Sequence, residues 1–331
     1  MAIQAVWQRR QFLETLAMTA AAALLPRAVP AAPYQPLRID VHHHVLPPAY
    51  NDFVAKGLQK FRSPIDLSWW TVDRAIADMD KYGIATAIVS WPDLNGNMPG
   101  DFGDVVRSCN EWCAQLGRDH PGRFGNFATL PLPDIDASLK EIAYALDTLG
   151  ADGMRAAPSY HGKYLGHPDF QPVWQELDRR NAIVFVHPTQ PLCCGPILPN
   201  TASAILEFPF DTTRAITDVL LTGTFSKFPN IRWIFSHGGG ALPMLAGRIA
   251  SVTRFNPKFA ERLPNGVIYE LKKLYVDTAS AFFPYSWAGI TQLPGPERIL
   301  FGTDDPYVSV AETDEGLAAL KLQGKIGRAH V

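Results

Sequence analysis

Between Arg38 and Leu322 the chain repeats one pattern eight times: an apolar run of strand length, then a longer segment with apolar residues at helical spacing. The strand runs are residues 38–41, 84–90, 124–130, 152–157, 182–187, 231–237, 274–278 and 298–302. The helical segments begin with one that Thr71 caps and Gly83 stops, and continue at 102–116, 135–149, 170–179, 212–221, 241–250, 284–293 and 311–322. Runs such as Ala182-Ile183-Val184-Phe185-Val186 are apolar throughout, as parallel strands covered on both faces are. Eight such units predict an α/β chain folded as a (β/α)8 TIM-like barrel. A doubly wound open sheet is the competing topology, but it would carry a glycine-rich phosphate turn after its first strand. This chain has three histidines there instead.

A barrel of this kind places its chemistry at the C-terminal ends of the strands. The first run ends Asp40-Val41-His42-His43-His44 before two prolines, Pro47 and Pro48. Alternation on a strand sets His42 and His44 on one face and turns His43 away. Paired imidazoles suit a transition metal. His187 ends the fifth run, His237 the sixth and Asp304 the eighth. Histidines scattered through a core would not all choose strand ends on one face, so the pattern predicts a metal site.

These pieces together, Asp40-Val41-His42-His43-His44, Val186-His187-Pro188, Ser236-His237-Gly238-Gly239-Gly240 and Phe301-Gly302-Thr303-Asp304, resemble the amidohydrolase superfamily. Within it the chain looks like the branch of aminocarboxymuconate-semialdehyde decarboxylase. The resemblance implies one divalent cation, zinc or alternatively manganese, held by His42, His44, His187 and Asp304. It also implies His237 as a proton-transfer residue, with Asp304 sharing that role. Binuclear members bridge two metals with a carboxylated lysine at a mid-barrel strand end. Strand four ends Met154-Arg155-Ala156-Ala157, with Lys163 further out, so a mononuclear site is expected.

The residues alone leave hydrolysis of a lactone, ester or amide open beside decarboxylation, and beyond both a barrel that only binds a small molecule. The resemblance favours a decarboxylase of a small aromatic carboxylic acid of the salicylate type. Glu207 to Ala215 looks like the matching segment of 6-methylsalicylate decarboxylases. The arginine that the muconate-semialdehyde enzyme carries shortly before its tryptophan is absent around Asp66-Leu67-Ser68, which points to a monocarboxylate. Arg155 and Arg248 are candidates to hold the substrate carboxylate by a bidentate fork. Arg248 matches an arginine that reaches across a dimer interface in the resembling enzyme, so a homodimer is expected. Trp69, Trp70, Trp91 and Phe283 are candidates for an aromatic pocket, and His161 and His167 for a lid.

The 331 residues carry a net charge of −2 and no basic block, which excludes a nucleic-acid surface. Residues 1–31 read as a cleavable export signal: Arg9-Arg10 before Phe12-Leu13 resembles the twin-arginine type, and an apolar run from Leu16 to Leu25 follows. A periplasmic location, with no stable membrane span once the signal is cleaved, follows as an expectation. Residues 32–324 then form one barrel domain, with 47–70 as a lid or dimerisation insertion. Residues 325–331 read as a non-native tail that resembles translated adapter sequence. Cys109 and Cys113, one helical turn apart, read as core packing, and Cys193-Cys194 as a loop pair.

Overall fold

Eight parallel strands hydrogen-bond side by side in chain order: β1 (Arg38–His44), β2 (Ile84–Ser90), β3 (Phe124–Thr129), β4 (Gly153–Ala156), β5 (Ile183–Val186), β6 (Arg232–Phe235), β7 (Tyr275–Asp277) and β8 (Ile299–Leu300). The structure is a computed structural model and describes residues 38–56, 66–92, 103–192, 201–322 and 326. An open sheet and a barrel differ in what the first and last strands do. Here Val41 N donates to Phe301 O at 2.9 Å, Asp304 N to His42 O at 2.8 Å and His44 N to Asp305 O at 2.6 Å. The last strand therefore returns to the first, and the doubly wound alternative falls.

The outer ring consists of α1 (Val72–Lys81), α2 (Gly103–Asp119), α3 (Ile135–Tyr144), α4 (Gln171–Arg179), α5 (Glu207–Leu221), α6 (Leu242–Thr253), α7 (Pro284–Gln292) and α8 (Val310–Ala319). Their starts are local chemistry. Thr71, Asp134 and Ser309 each accept a backbone N–H from the residue three further on, at Arg74, Ala137 and Glu312. Gly150 takes a left-handed φ of 72° to end the π-turn Ala145–Leu149 that prolongs α3. Short helices Pro48–Ala55, Thr224–Lys227, Pro257–Arg262 and Val267–Leu271, 3-10 turns at Pro168–Phe170, His237–Gly239 and Pro296–Arg298, and a hairpin pairing Ser159–Tyr160 with Lys163–Tyr164 complete the described elements.

Two apolar layers hold the barrel. Between strands and helices lie Met154, Val184, Val186, Phe235 and their neighbours on one side, and Val89, Cys109, Cys113 and Phe301 on the other. Inside the strand ring Phe127, Phe185 and Ile234 form a separate plug with Val41, Ile88 and Leu300. Burying each such side chain contributes about 1.5–3 kcal/mol. Phe185 is the part of the plug that reaches the site: its ring meets His42 edge-on at 5.2 Å.

The expected elements are present with shifted ends. Helix α5 starts at Glu207 rather than 212, because Pro209 falls in its first turn, where a missing N–H costs nothing. The export signal, residues 57–65 of the 47–70 insertion, Cys193, Cys194 and the 325–331 tail other than Ile326, which is buried, lie outside the described residues. Among the described residues no helix is long and apolar enough to cross a membrane.

Candidate metal centre

The end of β1 is not a regular strand. Its pairing with β2 shifts register between Asp40 and His43, and both Asp40 carboxylate oxygens are used at that bulge. Asp40 Oδ1 accepts from His42 N at 3.0 Å and Thr303 N at 3.1 Å, and Oδ2 from Thr303 Oγ1 at 2.6 Å. This fixes His42 and His44 against the last strand. Their Nε2 atoms lie 3.2 Å apart, and Asp304 Oδ1 is 3.2 Å from the first and 3.0 Å from the second. His187 joins them from the end of β5, and one ligand atom from each of the four residues falls within 4.8 Å of all the others.

His237 stands at the rim, with its ring centre 5.0 Å from that of His42 and 5.4 Å from that of His187. It and Asp304 share an unusual backbone: φ is 54° at His237 and 68° at Asp304. A left-handed conformation at a residue with a side chain costs about 1 kcal/mol or more and clusters at functional sites. Gly302 is equally constrained, since a Cβ there would lie 2.9 Å from the Cβ atoms of both His42 and Asp277.

The electrostatics favour one added positive charge. Burial pushes His42 down, but the Asp277 and Asp304 carboxylates outweigh it and raise the imidazole to about 10. Burial lowers His44 to about 4 and holds His187 and His237 below the usual histidine range. Asp304 sits well below the usual carboxylate range, because His42 and His44 more than offset its burial. The cluster thus has one excess proton, on His42, where a cation would sit. His187 Nε2 is buried and has no hydrogen-bond partner. Three imidazoles, one carboxylate and an orphaned buried nitrogen converging on one point fit a single divalent metal.

The four predicted ligand residues and His237 are therefore brought together. Arg155 is buried in the barrel mouth, with Nη2 3.2 Å from His187 Nδ1. Arg248 lies exposed on α6 and is not brought to this cluster. Trp91 is core and donates to Asn110, Trp70 is half-buried against the same core, Trp69 is on the surface under Arg74, and Phe283 is half-exposed. His161 is exposed and His167 half-buried.

Three partners were not singled out by their residue type. Asp277, at the end of β7, accepts from His42 Nδ1 at 2.8 Å and from His237 N at 2.8 Å. Its position at a strand terminus was the available signal. Tyr307 places its ring 5.2 Å from that of His44. His43 is no mere spacer: it turns away from the cluster, as expected, but is buried between Asp40 Oδ2 at 3.3 Å and Asp305 Oδ2 at 3.5 Å.

A family model described as amidohydrolase matches residues 39–325. Decarboxylase macB of Penicillium terrestre is 37% identical over 298 residues, covering 82% of this chain and 85% of its own length. The 6-methylsalicylic acid decarboxylase of Penicillium expansum is 34% identical over 284 residues, covering 81% and 85%. The crystal structure of a dihydroxybenzoic acid decarboxylase from a Polaromonas species, with bound manganese and 2-nitroresorcinol, shares the fold at a TM-score of 0.71 and 21% identity, covering 88% of this chain and 94% of that one. With the family model spanning the barrel from its first strand to beyond its last helix, this chain belongs to the amidohydrolase family.

Proposed function

We propose that this protein is a metal-dependent carboxy-lyase that releases CO2 from an aromatic carboxylic acid of the salicylate type. The observation that carries the reading is the company His237 keeps. Its ring stands beside the four-residue cluster that would hold one cation, and a buried guanidinium, Arg155, touches His187 of that cluster. Relatives above 30% identity that bear decarboxylase names support it. His42, His44, His187 and Asp304 would hold the cation. Three imidazoles and a carboxylate suit zinc, and manganese, the ion in the Polaromonas structure, is the alternative.

The bound cation would draw electron density from the substrate's carboxylate and neighbouring hydroxyl. Loss of CO2 breaks the bond between carboxyl carbon and ring, leaving the electron pair on the ring carbon, which must take up one proton. His237 is built for that transfer. Its Nδ1–H faces Ala279 O at 3.3 Å, which leaves a lone pair on Nε2. Burial keeps the ring neutral near pH 7. It can take the substrate's hydroxyl proton and return it to the ring carbon. Asp304, held ionised, supports the imidazolium formed in between, since its charge acts directly on His237. Arg155 supplies a planar donor pair for the carboxylate.

Two further properties belong to the same proposal. A homodimer through α6 is supported by Met244, 82% exposed on that helix, by Phe255, 74% exposed just past its end, and by Tyr285, 90% exposed on α7, whose Gly289 packs against Pro243 of α6. Large exposed apolar side chains on adjoining elements suit an interaction site, and Arg248 lies on α6 as well. Export to the periplasm rests on Arg9-Arg10 and the apolar run behind them.

The test is to load the protein with zinc or manganese, add salicylate-type acids, and follow CO2 and the phenol. Stoichiometric CO2 and phenol are expected. Turnover of a lactone or ester with no CO2 from any aromatic acid overturns the reading. Sedimentation should give a dimer that Met244→Asp dissociates.

A further inference from the structure

Arg155 and His187 are joined by a contact that a bound cation cannot leave intact. Met154 and Ala156 belong to the layer outside the strands, so Arg155 between them faces into the barrel, where it is fully buried. Its Nη2 lies 3.2 Å from His187 Nδ1. A guanidinium can only donate, so Nδ1 accepts, and a neutral ring with an acceptor at Nδ1 carries its proton on Nε2. A cation that binds His187 needs a lone pair from one of these nitrogens. If it takes Nδ1, that nitrogen no longer accepts from Arg155. If it takes Nε2, the proton moves to Nδ1, and two donors then face each other. By either route the hydrogen bond ends. Charge acts in the same direction, because the Arg155 cation bears on both His44 and His187.

We propose that Arg155 is a carboxylate-binding residue switched by the metal: it holds His187 in the metal-free protein and, displaced when the cation enters, is offered to the substrate's carboxylate. The identity of that anion rests on the decarboxylase reading; the switch does not. Metal and carboxylate then bind with positive coupling, and each strengthens the other by the same factor. The order of events follows as well, with the metal first and the acid second.

The experiment uses the full chain stripped of metal, as wild type, Arg155→Met and Arg155→Lys. Zinc affinity is read by competition with a chromophoric chelator, and salicylate affinity by calorimetry with and without zinc. Arg155→Met is expected to bind zinc about tenfold more tightly than wild type, since a like charge has gone from a poorly screened site. Its zinc–salicylate coupling should fall at least about tenfold, the worth of a lost bidentate charge-assisted pair. Arg155→Lys keeps the charge without the fork, so it should bind zinc as wild type does and salicylate more weakly. Phenol, which has no carboxylate, should not distinguish the three proteins.

Zinc affinity unchanged or weakened in a folded Arg155→Met overturns the proposal, and so does salicylate coupling equal to wild type. Should Arg155→Met fail to fold, the lysine variant decides: salicylate bound as tightly as by wild type overturns the proposal. None of these readouts involves turnover. A protein that decarboxylates nothing can therefore satisfy them, and an active decarboxylase can fail them.

Discussion

His42 Nδ1 and Asp277 Oδ2 are 2.8 Å apart, and this one bond decides which nitrogen His42 presents to the cluster. With Nδ1–H committed to Asp277, Nε2 is the nitrogen left to face His44 and Asp304, and its lone pair becomes available to a cation once its proton leaves. The other Asp277 oxygen accepts from His237 N and Ala279 N, at 2.8 and 3.1 Å, so the same carboxylate also shapes the loop that carries His237. A carboxylate behind a ligating imidazole fixes the ring and raises its basicity. Asp277→Asn should lower metal affinity by about 10–100-fold in a protein that still folds. Chelator competition measures this, and an affinity equal to wild type would sink the role given to Asp277.

The single excess proton in the cluster makes metal binding depend on pH in a definite way. Without metal His42 is protonated up to about pH 10, whereas His44, at about 4, and His187 are neutral and Asp304 is ionised. A cation must displace that one proton. Apparent affinity should therefore rise about tenfold per pH unit between about pH 6 and 9. Calorimetry in buffers of different ionisation enthalpy should count about one proton released per metal bound. The sign for folding follows too. The His42 pKa in the folded, metal-free chain is above its unfolded value, so this stabilisation is full below about 6.5 and disappears as pH rises toward 10. Release of no proton, or of two, contradicts this charge assignment.

What the sequence showed and what it hid differ in physical kind. His42, His44, His187, His237 and Asp304 were legible because each interrupts or ends an apolar run, and a barrel gathers such ends at one mouth. Asp277 was hidden because it differs in no local way from any polar residue closing a strand; only its neighbours across the barrel give it meaning. His43 was half legible. Alternation turned it from the metal correctly, yet a two-residue period cannot show the bulge at Asp40 or the carboxylate of Asp305, more than two hundred residues away, that waits on the other side. The segment at Glu207 to Ala215 has a structural use that no pattern shows. Thr213 Oγ1 accepts from Ala241 N, and a Cβ on Gly240 would overlap Pro209 O, so this segment supports the loop after His237. Helices Pro257–Arg262 and Val267–Leu271 were missed because six- and five-residue helices have too few turns to show a period.

The seam between first and last strands depends on His43. Its imidazole is raised above the usual histidine range: burial opposes the charge, but Asp40 and Asp305 together prevail. Burial in turn pushes the Asp305 carboxyl up to about 6. His43→Leu removes the imidazole that both acids share and leaves two buried carboxyl groups facing a hydrocarbon, a change that costs about 3 kcal/mol or more. Urea denaturation at pH 7 should show that loss, and adding Asp305→Asn should recover part of it. The metal should suffer as well, because His44 N bonds Asp305 O and Asp304 N bonds His42 O across the same seam. A His43→Leu protein as stable as wild type would return this residue to the status of a spacer.

His237 is the residue at which metal binding and chemistry should separate. It stands at the rim and is not among the four groups that converge within 4.8 Å, so the cluster keeps its ligand atoms without it. Its strained backbone at φ 54° and the bond from its N–H to Asp277 do not depend on the side chain, so His237→Gln should fold. Glutamine fills much of the same space but cannot carry a proton at neutral pH. The variant should bind zinc within a factor of about three of wild type, while kcat for release of CO2 falls by about 10²–10⁴, the usual worth of a positioned acid–base group. Asp304→Asn makes the contrast, since loss of a charged ligand should take metal and activity together. Metal content and kcat are both measurable on the same preparations. If His237→Gln loses its metal in step with its activity, then His237 is a fifth ligand rather than the proton carrier. If it keeps both, the proton reaches the ring carbon from Asp304 alone.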